Sequence, residues 1–173
     1  MRWILALSAI ALAVTPADAA LKQGAKAPQI ATVGAIGGEP FKLHLADQLK
    51  HGPLVLYFFP KAFTKGCTAE AHAFSDSIAD FKKTGAQVIG MSGDNLPTLE
   101  KFSVEHCRSA FPVATATPAT QKAYDVAWAA HPGLTTRTSY VIDSKGKIVM
   151  AYTNLDPTEH VQRTLAAVKA LKD

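Results

Sequence analysis

Apolar and polar positions are patterned differently in successive parts of this chain, and each pattern predicts an element. Between Gln29 and Leu45 short apolar runs are broken by Gly37 and Gly38, which reads as a β-hairpin. The run PLVLYFF, Pro53 to Phe59, is continuously apolar and ends at Pro60, the signature of a strand buried on both faces. From about Cys67 to Thr84 the apolar residues Ala71, Phe74, Ile78 and Phe81 recur at helical spacing, and Gly85 ends the pattern. AQVIGMS is a second buried strand. Leu96 to Ala110 reads as a helix with Leu99, Phe102, His106 and Ala110 on one face. FPVATA is then a short strand and PATQKAYDVA a short helix. TSYVIDSKGKIVMAYT reads as a hairpin turning at Ser144–Gly146. The final segment opens with Asp156 as N-cap, Pro157 at the first helical position and Glu159 three residues on, and so predicts a closing helix.

Strands alternate with helices, and a hairpin and one more helix close the chain. That order predicts an α/β fold, a central mixed sheet flanked by helices on both faces. It is the thioredoxin plan, with an N-terminal hairpin as an extension. The 173 residues, 48% of them hydrophobic, suffice for one domain with a full core. The first residues predict something else. Arg2 precedes an apolar run from Ile4 to Val14, and Ala17 and Ala19 form a small-residue cleavage pattern. The run is shorter than the roughly 20 residues a membrane span needs. The expectation is a signal peptide over residues 1–19 and a single domain over 20–173. Export follows from that, to the periplasm of a double-membraned bacterium, with no membrane attachment after cleavage.

The net charge of +4 is spread among acidic residues, with no basic run interleaved with aromatics, which argues against nucleic acid. The histidines at 44, 51, 72, 106, 131 and 160 show no ligand spacing, so no metal is expected. The chemistry on offer belongs to the cysteines at 67 and 107. In an exported chain two cysteines suggest a structural disulfide. Cys67, however, follows a buried strand and a turn and opens a helix, where the helix dipole and unpaired N–H groups favour a negative sulfur. Thr64, three residues earlier, can point its hydroxyl at the sulfur or at a substrate oxygen, and Lys65 adds positive charge. The alternative is a buried, inert cysteine at a helix start.

The spacing Pro60-x-x-x-Thr64-x-x-Cys67 resembles the signature of peroxiredoxins. The longer FFPKAFTKGCTAEAHAFSD is similar to the active-site segment of the peroxiredoxin Q, or bacterioferritin-comigratory, subfamily. KQGAKAPQI, VLYFFP, VIGMSGD and RTSYVIDSKGKI extend the resemblance over nearly the whole chain after residue 19. The resemblance implies that Cys67 is the peroxidatic cysteine, attacking the O–O bond of a peroxide to give a sulfenic acid. It implies that Thr64 hydrogen-bonds thiolate and peroxide, that Pro60 shields the thiolate, and that Arg137 is the active-site arginine, oriented by Glu70. The N–H groups of Gly66 and Cys67 would bind the attacked oxygen. No cofactor is implied; a thioredoxin-like protein or small thiol is the reductant, and relatives of this type are commonly monomers.

Two positions depart from the pattern. Lys65 stands where many relatives have proline, and His72 where many have the resolving cysteine. His72 reads as an exposed helical histidine. Cys107 falls on the flank of its helix, where partial exposure would let it act as the resolving thiol, with Arg108 and His106 favouring its thiolate. The other reading is an inert Cys107 and a one-cysteine enzyme reduced directly by an external thiol. A thiol–disulfide oxidoreductase on the same fold needs C-x-x-C, and the flanking positions hold Thr64 and Glu70. A copper-delivery protein would need C-x-x-x-C, and position 71 is alanine. A non-enzymatic interaction domain with a vestigial site is opposed by the intact set Pro60, Thr64, Cys67 and Arg137.

Overall fold

A computed structural model of the protein describes residues 20–171. The expected leader, residues 1–19, lies outside the described residues. In chain order the elements are β1 (Ala31–Ile36), β2 (Glu39–His44), α1 (Leu45–Leu49), β3 (Leu54–Phe58), α2 (Lys65–Lys83), β4 (Gln87–Ser92), α3 (Leu96–Glu105), β5 (Val113–Thr115), α4 (Pro118–Ala123), β6 (Thr138–Ile142), β7 (Ile148–Thr153) and α5 (His160–Ala170). They build one seven-stranded sheet in the order β2-β1-β5-β4-β3-β6-β7. β3, β4 and β5 pair in parallel, while β6 pairs antiparallel with both β3 and β7, and β1 antiparallel with both β5 and β2.

β3 sits inside the sheet, and every one of its residues is buried. Its side chains alternate between two cores. Val55, Tyr57 and Phe59 pack with Phe74 and Phe81 of α2, Leu99 and Phe102 of α3, and Val161 and Val168 of α5. Leu54, Leu56 and Phe58 pack on the other face with Leu43, Leu45, Met91, Tyr124 and Tyr140. Each such side chain contributes about 1.5–3 kcal/mol when removed from water, which is why a run apolar at every position forms the centre of the sheet.

The same alternation positions chemistry on β6. Period 2 sets Arg137, just before the strand, and Ser139 on the side of Val141, toward α2 and α5. On α2 the buried stripe of Cys67, Glu70, Ala71, Phe74 and Phe81 places the cysteine and the glutamate against that sheet face. On α5 the stripe is His160, Val161, Thr164 and Val168.

Three elements end differently from their sequence patterns. α3 stops at Glu105 rather than at Ala110: His106 caps it, the Cys107 N–H donates to the Phe102 carbonyl at 3.0 Å, and Arg108 and Ser109 then leave the helical path at left-handed φ values of 52° and 55°. α4 stops at Ala123, before Asp125 at φ 52°. α5 begins its regular turns at His160; Asp156 caps the irregular turn before it, accepting from the Thr158 N–H at 3.0 Å.

Gly90 on β4 faces Tyr57 across the parallel register, and a Cβ there would lie 2.7 Å from the tyrosine ring. That ring is also stacked on Phe74 with centroids 4.3 Å apart, so it has nowhere to retreat. Gly90→Ala is therefore expected to lower unfolding free energy by about 1–3 kcal/mol, measured as a fall in the urea midpoint. An unchanged midpoint would show that the core under Cys67 is looser than these contacts imply.

Candidate active site

Pro60, half-buried, follows β3 and starts a tight loop that leads into α2. The loop is pinned from β4: the Ala62 N–H donates to Asp94 Oδ2 at 2.8 Å, and Ser92 Oγ donates to the same oxygen at 2.8 Å. Thr135 Oγ1 donates to the Phe59 carbonyl at 2.8 Å from the other side. Phe63 sits in the loop at φ 65°, its exposed ring packed edge-on against Phe102 and His106. A left-handed phenylalanine is uncommon and persists because these contacts hold it. Asp94 and Thr135 were not singled out from sequence. Their polar side chains at the ends of buried strands were the available signal.

Thr64 is the N-cap of α2, with extended backbone, and its carbonyl accepts the first helical bond from Thr68 at 2.9 Å. Its hydroxyl is exposed and donates to the Lys61 carbonyl at 2.9 Å, not to the sulfur. Lys65, Gly66 and Cys67 then form the first turn, the part of a helix whose N–H groups have no intrahelical acceptor. Cys67 is 1% exposed. Gly66 is where a side chain would intrude, since a Cβ would stand 3.1 Å from Arg137 Nη2.

Arg137 binds the site together. It is buried, and each part of its guanidinium has a partner. Nη2 donates to Cys67 Sγ at 3.5 Å, Nη1 to Glu70 Oε2, and Nε to the Leu155 carbonyl at 2.9 Å. Burial opposes its charge, but the Glu70 and Cys67 anions outweigh that and raise its pKa further. For Glu70 burial is the larger effect and pushes the carboxyl up, to about 8, against the pull of Arg137. Its second oxygen, Oε1, is buried with no hydrogen-bond donor. Cys67, Glu70, Arg137 and Gly66 thus converge, with Pro60 and Thr64 on the adjoining loop.

Cys107 departs from its expected setting. It is fully buried, beyond the end of α3, in the core cluster that contains Tyr57, Phe74 and Phe111. Burial pushes its thiol pKa far up, and its carbonyl accepts from Ser75 Oγ at 2.8 Å. The flank position followed from extending the helix to Ala110; α3 ends at Glu105, and Cys107, beyond it, lies inward instead. Arg108 does not assist it, but pairs with Asp76 at 2.6 Å on the surface. His106 Nδ1 lies 3.4 Å from His72 Nε2, so His72 is half-buried against its partner rather than exposed. Both cysteines are free thiols. No group of three or more potential metal ligands occurs among the described residues.

Residues 23–151 match the AhpC/TSA family. The chain is 33% identical over 136 residues to the chloroplastic peroxiredoxin Q of Sedum lineare, covering 78% of this chain and 72% of that protein. Its fold superposes on the crystal structure of peroxidoxin BcpB from Mycobacterium tuberculosis with a TM-score of 0.79 at 27% identity, over 88% of this chain and 99% of that one. It superposes on Xanthomonas campestris peroxiredoxin Q with a TM-score of 0.71 at 28% identity, over 82% and 91% of the two chains. These relatives correct one expectation: the plant proteins are chloroplastic by name, which overturns the periplasmic address drawn from the N-terminal residues. The matched family, the relatives and the shared fold together establish that the chain belongs to the AhpC/TSA family of peroxiredoxins.

Proposed function

We propose that this thiol-dependent peroxidase works through Cys67 as its peroxide-reacting thiolate. The observation that carries the reading is the Arg137 Nη2–Sγ contact of 3.5 Å at the first turn of α2. A guanidinium and a helix N-terminus present positive charge to the sulfur from two sides. The thiolate attacks the terminal oxygen of hydrogen peroxide or an organic hydroperoxide. An S–O bond forms and the O–O bond breaks; sulfur is oxidised to the sulfenic acid, and the departing oxygen takes a proton and leaves as water or an alcohol. The unpaired N–H groups of Gly66 and Cys67 and the Arg137 fork are placed to bind charge that develops on those oxygens. Thr64 joins them when its hydroxyl turns from the Lys61 carbonyl toward the incoming peroxide. Pro60 covers the site from the loop side.

For the reductive half we favour a one-thiol cycle. An external thiol of the thioredoxin type condenses with the sulfenic acid, releasing water and leaving a mixed disulfide on Cys67. A second thiol then releases the reduced enzyme and a disulfide. Burial in the apolar core keeps Cys107 from supplying the thiolate that an internal resolving step needs.

Two outcomes follow. After one equivalent of hydrogen peroxide and rapid blocking of free thiols, intact mass is expected to show one added oxygen on Cys67 and an alkylated Cys107. Loss of two hydrogens with no free thiol in a monomer would make Cys107 the resolving residue, and two alkylated thiols would sink the peroxidase reading. Glu70→Ala strands the buried guanidinium of Arg137. It is expected to cost about 3–5 kcal/mol of stability by urea unfolding and to slow peroxide consumption; a variant with wild-type values on both measures would contradict the role given to the pair.

A further inference from the structure

His72 and His106 stand 34 residues apart in the chain, and the fold brings their rings together. His72 lies inside α2, and His106 is the C-cap of α3. His72 Nε2 and His106 Nδ1 face each other at 3.4 Å. Both residues are half-buried, so solvent reaches the pair. The framework sets this separation. The His106 ring packs against Phe102 and Phe63, with centroids 5.3 and 5.2 Å away. Its N–H donates to the Phe102 carbonyl at 3.0 Å. Two further contacts tie the end of α3 to α2 without either histidine: Ser75 Oγ donates to the Cys107 carbonyl at 2.8 Å, and Arg108 pairs with Asp76 at 2.6 Å.

The distance itself is informative. Ordinary N–H hydrogen bonds span about 2.7–3.2 Å, so a direct bond between the two rings is long. Two imidazole nitrogens each about 2.0–2.1 Å from one zinc ion, at the tetrahedral angle, stand about 3.3–3.4 Å apart. At the right angle of a square-planar or octahedral ion the same bonds set them about 2.8–3.0 Å apart. The observed 3.4 Å therefore suits a tetrahedral ion. Arg108, the neighbouring cation, is already paired with Asp76, and the residue before His106 is the exposed Glu105.

We propose that His72 Nε2 and His106 Nδ1 form a two-histidine site for zinc, with water completing the tetrahedron, and that the bound ion staples α2 to the end of α3. A ligating nitrogen must be bare, so each ring then carries its hydrogen on the other nitrogen, His72 Nδ1 and His106 Nε2. In a neutral pair one ring changes tautomer, and no net proton is released. The ion ties the helix that opens with Cys67 to the ring on which Phe63 of the adjoining loop packs. None of this depends on the reaction proposed for Cys67.

The test uses the full, untagged chain carrying Cys67→Ser, so that no reactive thiolate competes for metal; Cys107 is buried in the core. Calorimetric titration with zinc chloride is expected to show one ion bound per chain. That binding is expected to be lost in His72→Gln and in His106→Asn, whose amides stand in for Nε2 and Nδ1 respectively but are poor zinc ligands. Zinc is expected to raise the Tm of the parent and to leave that of both variants unchanged. Cobalt(II) titrated into the parent gives a readout that needs no histidine variant to fold, and the intense visible bands of a four-coordinate ion are expected. Zinc binding of equal strength in the parent and both variants, no binding at millimolar zinc, or the faint spectrum of six-coordinate cobalt would overturn the proposal.

Discussion

A guanidinium buried to 4% exposure is the constraint on which the rest of this site depends. Arg137 cannot lose its proton at any ordinary pH, so the fold must supply acceptors for it or leave a charge stranded in the core. It supplies three of different kinds: a carboxylate from α2, a carbonyl from the loop before α5, and the sulfur of Cys67. Two of the three are fixed acceptors of the framework. The third is the sulfur to which the proposed chemistry belongs. The sulfur therefore faces a fixed positive charge that the rest of the structure already holds still.

Three buried stripes meet at that point, and each is dictated by the periodicity of its element. The α2 stripe brings Cys67 and Glu70, the alternation on β6 brings Arg137 and Ser139, and the α5 stripe brings His160. Polar residues at those positions are costly in a core unless they satisfy one another. Here they do, apart from the Glu70 oxygen that faces His160. The loop from Pro60 to Thr64 closes the remaining side and is held by Asp94, two residues beyond β4. Positions that look independent along the chain are thus coupled through a few hydrogen bonds at the C-terminal end of β3.

Much of this was legible in the sequence, for identifiable reasons. The continuous apolar run of β3, the helical stripe of α2 and the hairpin of β6 and β7 are strong periodic signals, and they gave the architecture. The spacing of Pro60, Thr64 and Cys67, with the resemblance that named Glu70 and Arg137, pointed to residues that the fold does bring together. The setting of Cys107 was not legible. Its helical pattern continues to Ala110, but two non-glycine residues turn left-handed at Arg108 and Ser109, which no composition signal announces. His160 was equally silent: a lone histidine at a helix start does not announce that its ring meets the Ser139 hydroxyl at 2.8 Å and the Asn154 carbonyl at 2.9 Å in the core. The Thr64 hydroxyl shows a different limit, since a side chain at an exposed cap has several partners within reach and sequence does not choose among them.

The most direct test is the second-order rate constant of Cys67 with hydrogen peroxide in Arg137→Lys, set against the wild type. A lysine keeps the charge but cannot bind the sulfur, Glu70 and the Leu155 carbonyl together. A loss of about 10²–10³ in rate, in a protein that retains its circular dichroism and cooperative unfolding, is the result expected if the three-way fork is what activates the sulfur. A folded variant that reacts within a few-fold of the wild-type rate would contradict the account.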